Sequence, residues 1–80
     1  MHMTLAEAPL RRPLVIAAAP EDPAAAQRLM TLGWRPGAPT EVIRRTTGGA
    51  RVIDLSGARI AVGGPLSKTL QVRPAEEAGR

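Results

Sequence analysis

The chain has 80 residues, no cysteine, a single aromatic and a net charge of +4. That length allows one small domain with a marginal core, because such a chain buries only about 60% of its unfolded surface. The absence of cysteine excludes a disulfide framework and a thiolate metal site. The longest apolar run, Leu14 to Ala19, falls far short of the roughly 20 residues that a membrane helix needs.

Arg11-Arg12 precedes too short an apolar stretch for a secretory signal, so the default expectation is a cytosolic protein. Ten of the eleven cations are arginine, which binds carboxylate and phosphate through a planar fork. Nucleic acid, acidic lipid and acidic protein faces are the partner classes this leaves. Trp34 as the lone aromatic argues against single-strand binding by base stacking.

Residues 1–12 show no sustained period and read as a flexible N-terminal arm. Pro13 to Ala19 reads as the first strand, centred on Leu14, Val15 and Ile16. Pro20-Glu21-Asp22-Pro23 is a helix start: Asp22 caps the free N–H groups, and Pro23 fits the first helical position. The helix is expected over about 23–32, with Ala25, Leu29 and Leu32 as one apolar stripe. At ten residues it must dock on a sheet to persist. Gly33 stands where a helix end needs a left-handed residue, and Pro36-Gly37 turns the chain into the next strand.

Pro39 to Thr47 and Ala50 to Leu55 read as strands around Gly48-Gly49, and Ala58 to Val62 as a strand after Ser56-Gly57. A two-residue Ser56-Gly57 turn sets Leu55 opposite Ala58, Asp54 opposite Arg59 and Ile53 opposite Ile60. Charged and aliphatic pairs then take separate faces. For the preceding hairpin, a three- or five-residue loop with a left-handed glycine sets Ile43 opposite Ile53 and Arg45 opposite Arg51. The expected core face is Ile43, Ile53, Leu55, Ile60 and Val62, covered by the helix and by Leu14 or Ile16. A short helical turn at Leu66 to Lys68 leads to a last strand, Thr69 to Arg73, pairing near the first and closing a barrel. Residues 75–80 read as a flexible C-terminal tail.

No catalytic constellation is present. His2 is the only histidine, and the serines and threonines have no base in sight, so the chain reads as no enzyme. Carboxylates and imidazoles are too few for a metal site, and no cofactor is indicated. Arg44, Arg45, Arg51 and Arg59 are either a solvated face or a docking surface for an acidic partner. In the second reading Arg44, Val52 and Ala61 lie on the outer face beside Asp54 and Arg59. Trp34 is either a core plug or, with Arg35, an exposed anchor at an interface.

The run R-L-x-x-L-G-x-x-P-G, here Arg28, Leu29, Leu32, Gly33, Pro36 and Gly37, resembles the FeoA family of ferrous iron transport accessory proteins. The apolar strand ahead of it, the Glu41-Val-Ile-Arg-Arg45 strand behind it, Gly57 to Val62, and Leu70 to Val72 extend the likeness over about residues 11–74. It departs after Val62, where the family's basic helix-like stretch is replaced by Gly63-Gly64-Pro65. The resemblance implies an SH3-like form for the barrel, which is mostly β with about five strands, spans residues 13–74, and carries one helix between strands 1 and 2. It implies a non-enzymatic cytoplasmic accessory of bacterial ferrous iron uptake. Such a protein binds the cytoplasmic domain of the FeoB transporter, adjusts its assembly or activity, and meets the membrane only through that partner. Two alternatives stand beside it: an SH3-like adaptor related to the C-terminal domain of metal-dependent repressors, and a basic nucleic-acid-binding barrel. Nucleic acid is the less expected partner.

Overall fold

The computed structural model describes residues 2–78, with the backbone alone for 77 and 78. Strand β1 (Met3–Thr4) is followed by β2 (Leu14–Ile16), helix α1 (Pro23–Thr31), β3 (Pro39–Arg45), β4 (Arg51–Leu55) and β5 (Ala58–Val62). Short helix α2 (Gly64–Ser67), strand β6 (Gln71–Pro74) and short helix α3 (Ala75–Ala78) complete it. The strands form one antiparallel sheet in the order β1-β6-β2-β3-β4-β5. β6 pairs with β2 as expected, but the sheet keeps two edges, β1 and β5, and is not a closed ring.

Helix α1 is built at both ends as the sequence dictates. The Asp22 carboxylate accepts from the Ala25 N–H at 2.9 Å, with Pro23 in the first turn. At the other end Gly33 adopts φ +114°. The Gly33 N–H donates to Met30 O and the Trp34 N–H to Leu29 O. This double bond pattern is a Schellman ending, and it throws Trp34 back over Leu29. Both side chains are buried. Leu32 leaves the expected stripe: as the cap residue it is 44% exposed, and Ala25 and Leu29 carry the buried face.

The β4–β5 hairpin has the expected register, with Leu55 opposite Ala58, Asp54 opposite Arg59 and Ile53 opposite Ile60. Ser56 (φ 53°) and Gly57 (φ 86°) both take positive φ, the signature of a type I′ turn. The β3–β4 connection is a five-residue loop, Thr46 to Ala50, with Gly48 and Gly49 at positive φ, and it sets Arg45 opposite Arg51 as expected. Ile43 does not oppose Ile53. A bulge between Val42 and Arg44 gives that place to Val42. The extra residue turns Ile43 to the other face. Val42 therefore joins Ile53, Leu55 and Val62 in the core, with Ile60 half-buried against them.

From Met3 onward the N-terminal segment is not a loose arm. Leu5 and Ala8 are fully buried in the main core, and Met3–Thr4 pairs with Val72 and Gln71. Thr4 and Glu7 bond reciprocally: the Glu7 carboxylate accepts from Thr4 N–H (2.9 Å), and the Thr4 hydroxyl accepts from Glu7 N–H (3.3 Å). That is a capping box closing a single turn, and it points Leu5 inward. At the other end Ala75 N–H donates to Pro13 O, so α3 folds back onto the start of β2. Gly79 and Arg80, from the expected tail, lie outside the described residues.

Candidate docking face

The sheet has a buried face and an outward one. On the outward face Glu41, Asp54 and Arg59 stand side by side across β3, β4 and β5, because Asp54 pairs with both of its neighbours. Val15 of β2 pairs with Pro39 of β3, which extends this face toward β2. Together with Pro13, Ile43 and Arg11, these residues line a groove of about 400 Å³. Its floor is apolar, from Pro13, Val15, Pro39 and Ile43. Its walls carry two carboxylates, Glu41 and Asp54, and two guanidinium groups, Arg11 and Arg59.

Each wall residue is placed by local structure. Arg11 takes a left-handed backbone (φ 57°), and its N–H donates to Val42 O at 2.7 Å, which fixes the start of the groove against β3. Asp54 accepts from the Gly57 N–H at 3.2 Å and so braces the type I′ turn. Glu41 and Asp54 are like charges directly opposed, an arrangement that is mildly unfavourable in the free protein. The bulge moves Ile43 out of the main core cluster to the groove side of the sheet, where it is still buried, at 7% exposure. This surface suits an extended segment that combines an apolar body with charged groups. It offers no nucleophile with a base. Among the described residues no three His, Cys, Asp or Glu side chains gather as a metal set would.

The six expected partner-binding residues divide. Arg35, Arg44, Arg45 and Arg59 are exposed. Arg44 opposes Val52 on the outward face, while Arg45 pairs with Arg51 on the other. Arg51 is half-buried and engaged internally: its guanidinium donates to Gly49 O and, at 3.0 Å, to Ala6 O. Trp34 is fully buried, and its indole N–H donates to Ala18 O at 3.0 Å. It is a core residue and not a surface anchor. Within the motif, Leu29, Gly33 and Gly37 do structural work, the last through its φ of 90° and its N–H donated to Ile16 O at 2.8 Å, and Arg28 and Pro36 are exposed. Sequence reasoning missed Arg11, Pro13, Pro39 and Glu41 in the groove. The period-two pattern of Glu41 and Ile43 was the available signal, and the bulge disguised it.

Residues 3–74 match the FeoA domain family, nine-tenths of the chain. The chain belongs to the FeoA family. A crystal structure of an iron uptake regulatory protein, FeoA, is 27% identical with a TM-score of 0.76, covering 91% of this chain and 96% of that one. FeoA from Stenotrophomonas maltophilia, complexed with zinc and described as an SH3 domain protein, is 25% identical with a TM-score of 0.70, covering 88% of each chain. FeoA from Chlorobium tepidum is 23% identical with a TM-score of 0.81, covering 90% of this chain and 70% of that one, and adds likeness of fold. So does ScaR with bound zinc, 16% identical with a TM-score of 0.77, covering 90% of this chain and 36% of ScaR. No curated protein matches the chain. The fold is thus SH3-like, and the FeoA domain here includes the packed residues from Met3 that the sequence reading assigned to an arm. Among the described residues no helix is long and apolar enough to cross a membrane.

Proposed function

We infer that this FeoA-family protein is a non-enzymatic cytoplasmic accessory of bacterial ferrous iron uptake. It docks on the cytoplasmic domain of the FeoB transporter and adjusts its assembly or activity. The observation that carries this reading is the family match over residues 3–74. The S. maltophilia relative is itself described as a candidate activating factor for ferrous iron transport. The outward face supports a docking role, because its groove joins an apolar floor to charged walls and needs no catalytic group. Arg44 and Arg59 are exposed on that face.

The test is an NMR titration of labelled protein with the soluble cytoplasmic domain of the cognate transporter. The expected result is shifts confined to Arg11, Val15, Glu41, Ile43, Asp54 and Arg59. Shifts elsewhere, or none at any concentration, count against docking through this groove. Loss of the gene product should also lower ferrous iron uptake by cells; unchanged uptake counts against the accessory role itself.

A further inference from the structure

The sheet ends on one side in β1, only two residues long, and on the other in β5, a full five-residue strand with Arg59 and Ala61 exposed. The type I′ turn determines which backbone groups of β5 point outward. Its closing pair, Leu55 and Ala58, exchanges both hydrogen bonds, and antiparallel ladders alternate from there. Ile53–Ile60 and Arg51–Val62 are then bonded pairs as well. Arg59 and Ala61 fall between, so their N–H and C=O groups point away from β4. Among the described residues neither has a backbone partner outside the sheet.

We propose that β5 is the dimerisation edge of this protein, pairing antiparallel with β5 of a second copy about a two-fold axis through Ile60. Three features make the strand complementary to itself. The outward groups lie one residue either side of Ile60, so Arg59 meets the partner's Ala61 and Ala61 meets the partner's Arg59. All four outward groups of each copy are satisfied in that single register. On the inner side the facing pairs are Ile60 with Ile60 and Ala58 with Val62, an apolar row. The Ile60 pair is of the non-bonded type, whose Cα atoms approach to about 4.5 Å, and it covers an Ile60 that is only half-buried in the single chain. On the outer side each Arg59 lies between its own Asp54 and an alanine, so the two guanidinium groups meet only diagonally. The interface is isologous and small, below the roughly 1,200 Å² of stable complexes. The dimer is therefore weak and forms only at high protein concentration.

The experiment is sedimentation velocity from micromolar to millimolar protein, with amide hydrogen exchange at both ends of the range. The expected result is a monomer–dimer equilibrium with concentration-dependent protection of the Arg59 and Ala61 amides. Ala61→Pro removes one outward N–H and no bond of the β4–β5 ladder, so it should keep the fold and abolish the dimer. Should that variant fail to fold, charge decides. Ala61→Glu faces the partner's Arg59 and should tighten the dimer roughly two- to thirtyfold, and Ala61→Lys should weaken it by a similar factor. A wild-type monomer at 1 mM overturns the proposal. So does a dimer indifferent to the charge at position 61, or one that protects other amides.

Discussion

The guanidinium of Arg51 reaches across 45 residues of chain to donate to the carbonyl of Ala6 at 3.0 Å. The same group also donates to Gly49 O, so one side chain ties the N-terminal segment to the β3–β4 loop. This contact explains why the first residues pack, and it withdraws Arg51 from the exposed basic surface. Its opposition to Arg45 and a buried Nε without a partner among the described residues are the costs of that placement.

Replacing Arg51 by Ala should destabilise the protein by about 1–3 kcal/mol, because a charge-assisted bond is lost and a partly buried carbonyl is left without its donor. Arg59→Ala, on the exposed face, should stay within about 0.5 kcal/mol. Urea unfolding measures both. Hydrogen exchange adds a local readout: the Leu5 amide, which donates to Leu70 O at 2.8 Å, should lose protection in the first variant only. Equal stabilities for the two variants would remove the clamp.

Trp34→Phe keeps an aromatic ring in the core but leaves the Ala18 carbonyl without its 3.0 Å donor. About 1–3 kcal/mol is expected from the unmet carbonyl. The wild-type indole should fluoresce as a buried group, and its emission should not move when a partner binds at the groove. A red-shifted, readily quenched emission would contradict the burial of this side chain.

Much of this fold was legible because local rules agreed with one another. Asp22-Pro23 and Gly33 marked the helix ends, and Ser56-Gly57 set a register that paired charges with charges and aliphatics with aliphatics. The misreadings have two physical causes. Val42 and Ile43 are adjacent aliphatics of equal propensity, so alternation alone could not say which one a bulge would turn inward. Leu5 and Ala8 make no periodic pattern because they sit in a single turn, and their burial depends on contacts with β6 and Arg51 far along the chain. The Thr4-Leu-Ala-Glu7 capping box was the one local sign that the segment is built. The groove suffered most, since five of its residues, Arg11, Pro39, Thr40, Glu41 and Ile43, come from the misread arm and from the bulged strand.

At Gly33 two obstacles coincide. Its φ of +114° disfavours any side chain, and an added Cβ would run into the Ser56 side chain. Gly33→Ala should therefore cost about 1–3 kcal/mol. Adding Ser56→Gly should relieve the collision and restore part of the loss, leaving the backbone strain. Thermal unfolding of the single and double variants separates the two terms. Because Ser56 itself sits at φ 53°, Ser56→Gly alone is the reference; complete rescue relative to it would mean that strain contributes nothing at position 33.

Glu7 titrates with a definite sign. The Thr4 N–H and hydroxyl both donate to its carboxylate, which holds its pKa below the ordinary value for glutamate. A depressed pKa in the folded state means that the contribution is present above the unfolded value and is lost as pH falls through the folded one. The stability difference between wild type and Glu7→Gln should therefore be level at neutral pH and shrink in acid. Urea unfolding of both proteins across the acid range checks this. A difference that stays constant with pH would show that the capping carboxylate is not the group responsible.

Charge reversals separate the two sides of the arginine hairpin. Arg59 lines the groove beside Asp54, and Arg44 opposes Val52 on the same face. Arg45 pairs with Arg51 on the opposite side. If the transporter docks at the groove, Arg59→Glu should weaken binding to its cytoplasmic domain by several-fold, chiefly through a slower and less salt-dependent association. Arg45→Glu should leave binding unchanged. It replaces a like-charged cross-strand pair with an opposite one, so stability should rise by about 0.2–1 kcal/mol. Association rates at two salt concentrations, with urea unfolding of both variants, give the comparison. If Arg45→Glu impairs binding and Arg59→Glu does not, the partner sits on the other side of the hairpin and the groove is not the docking face.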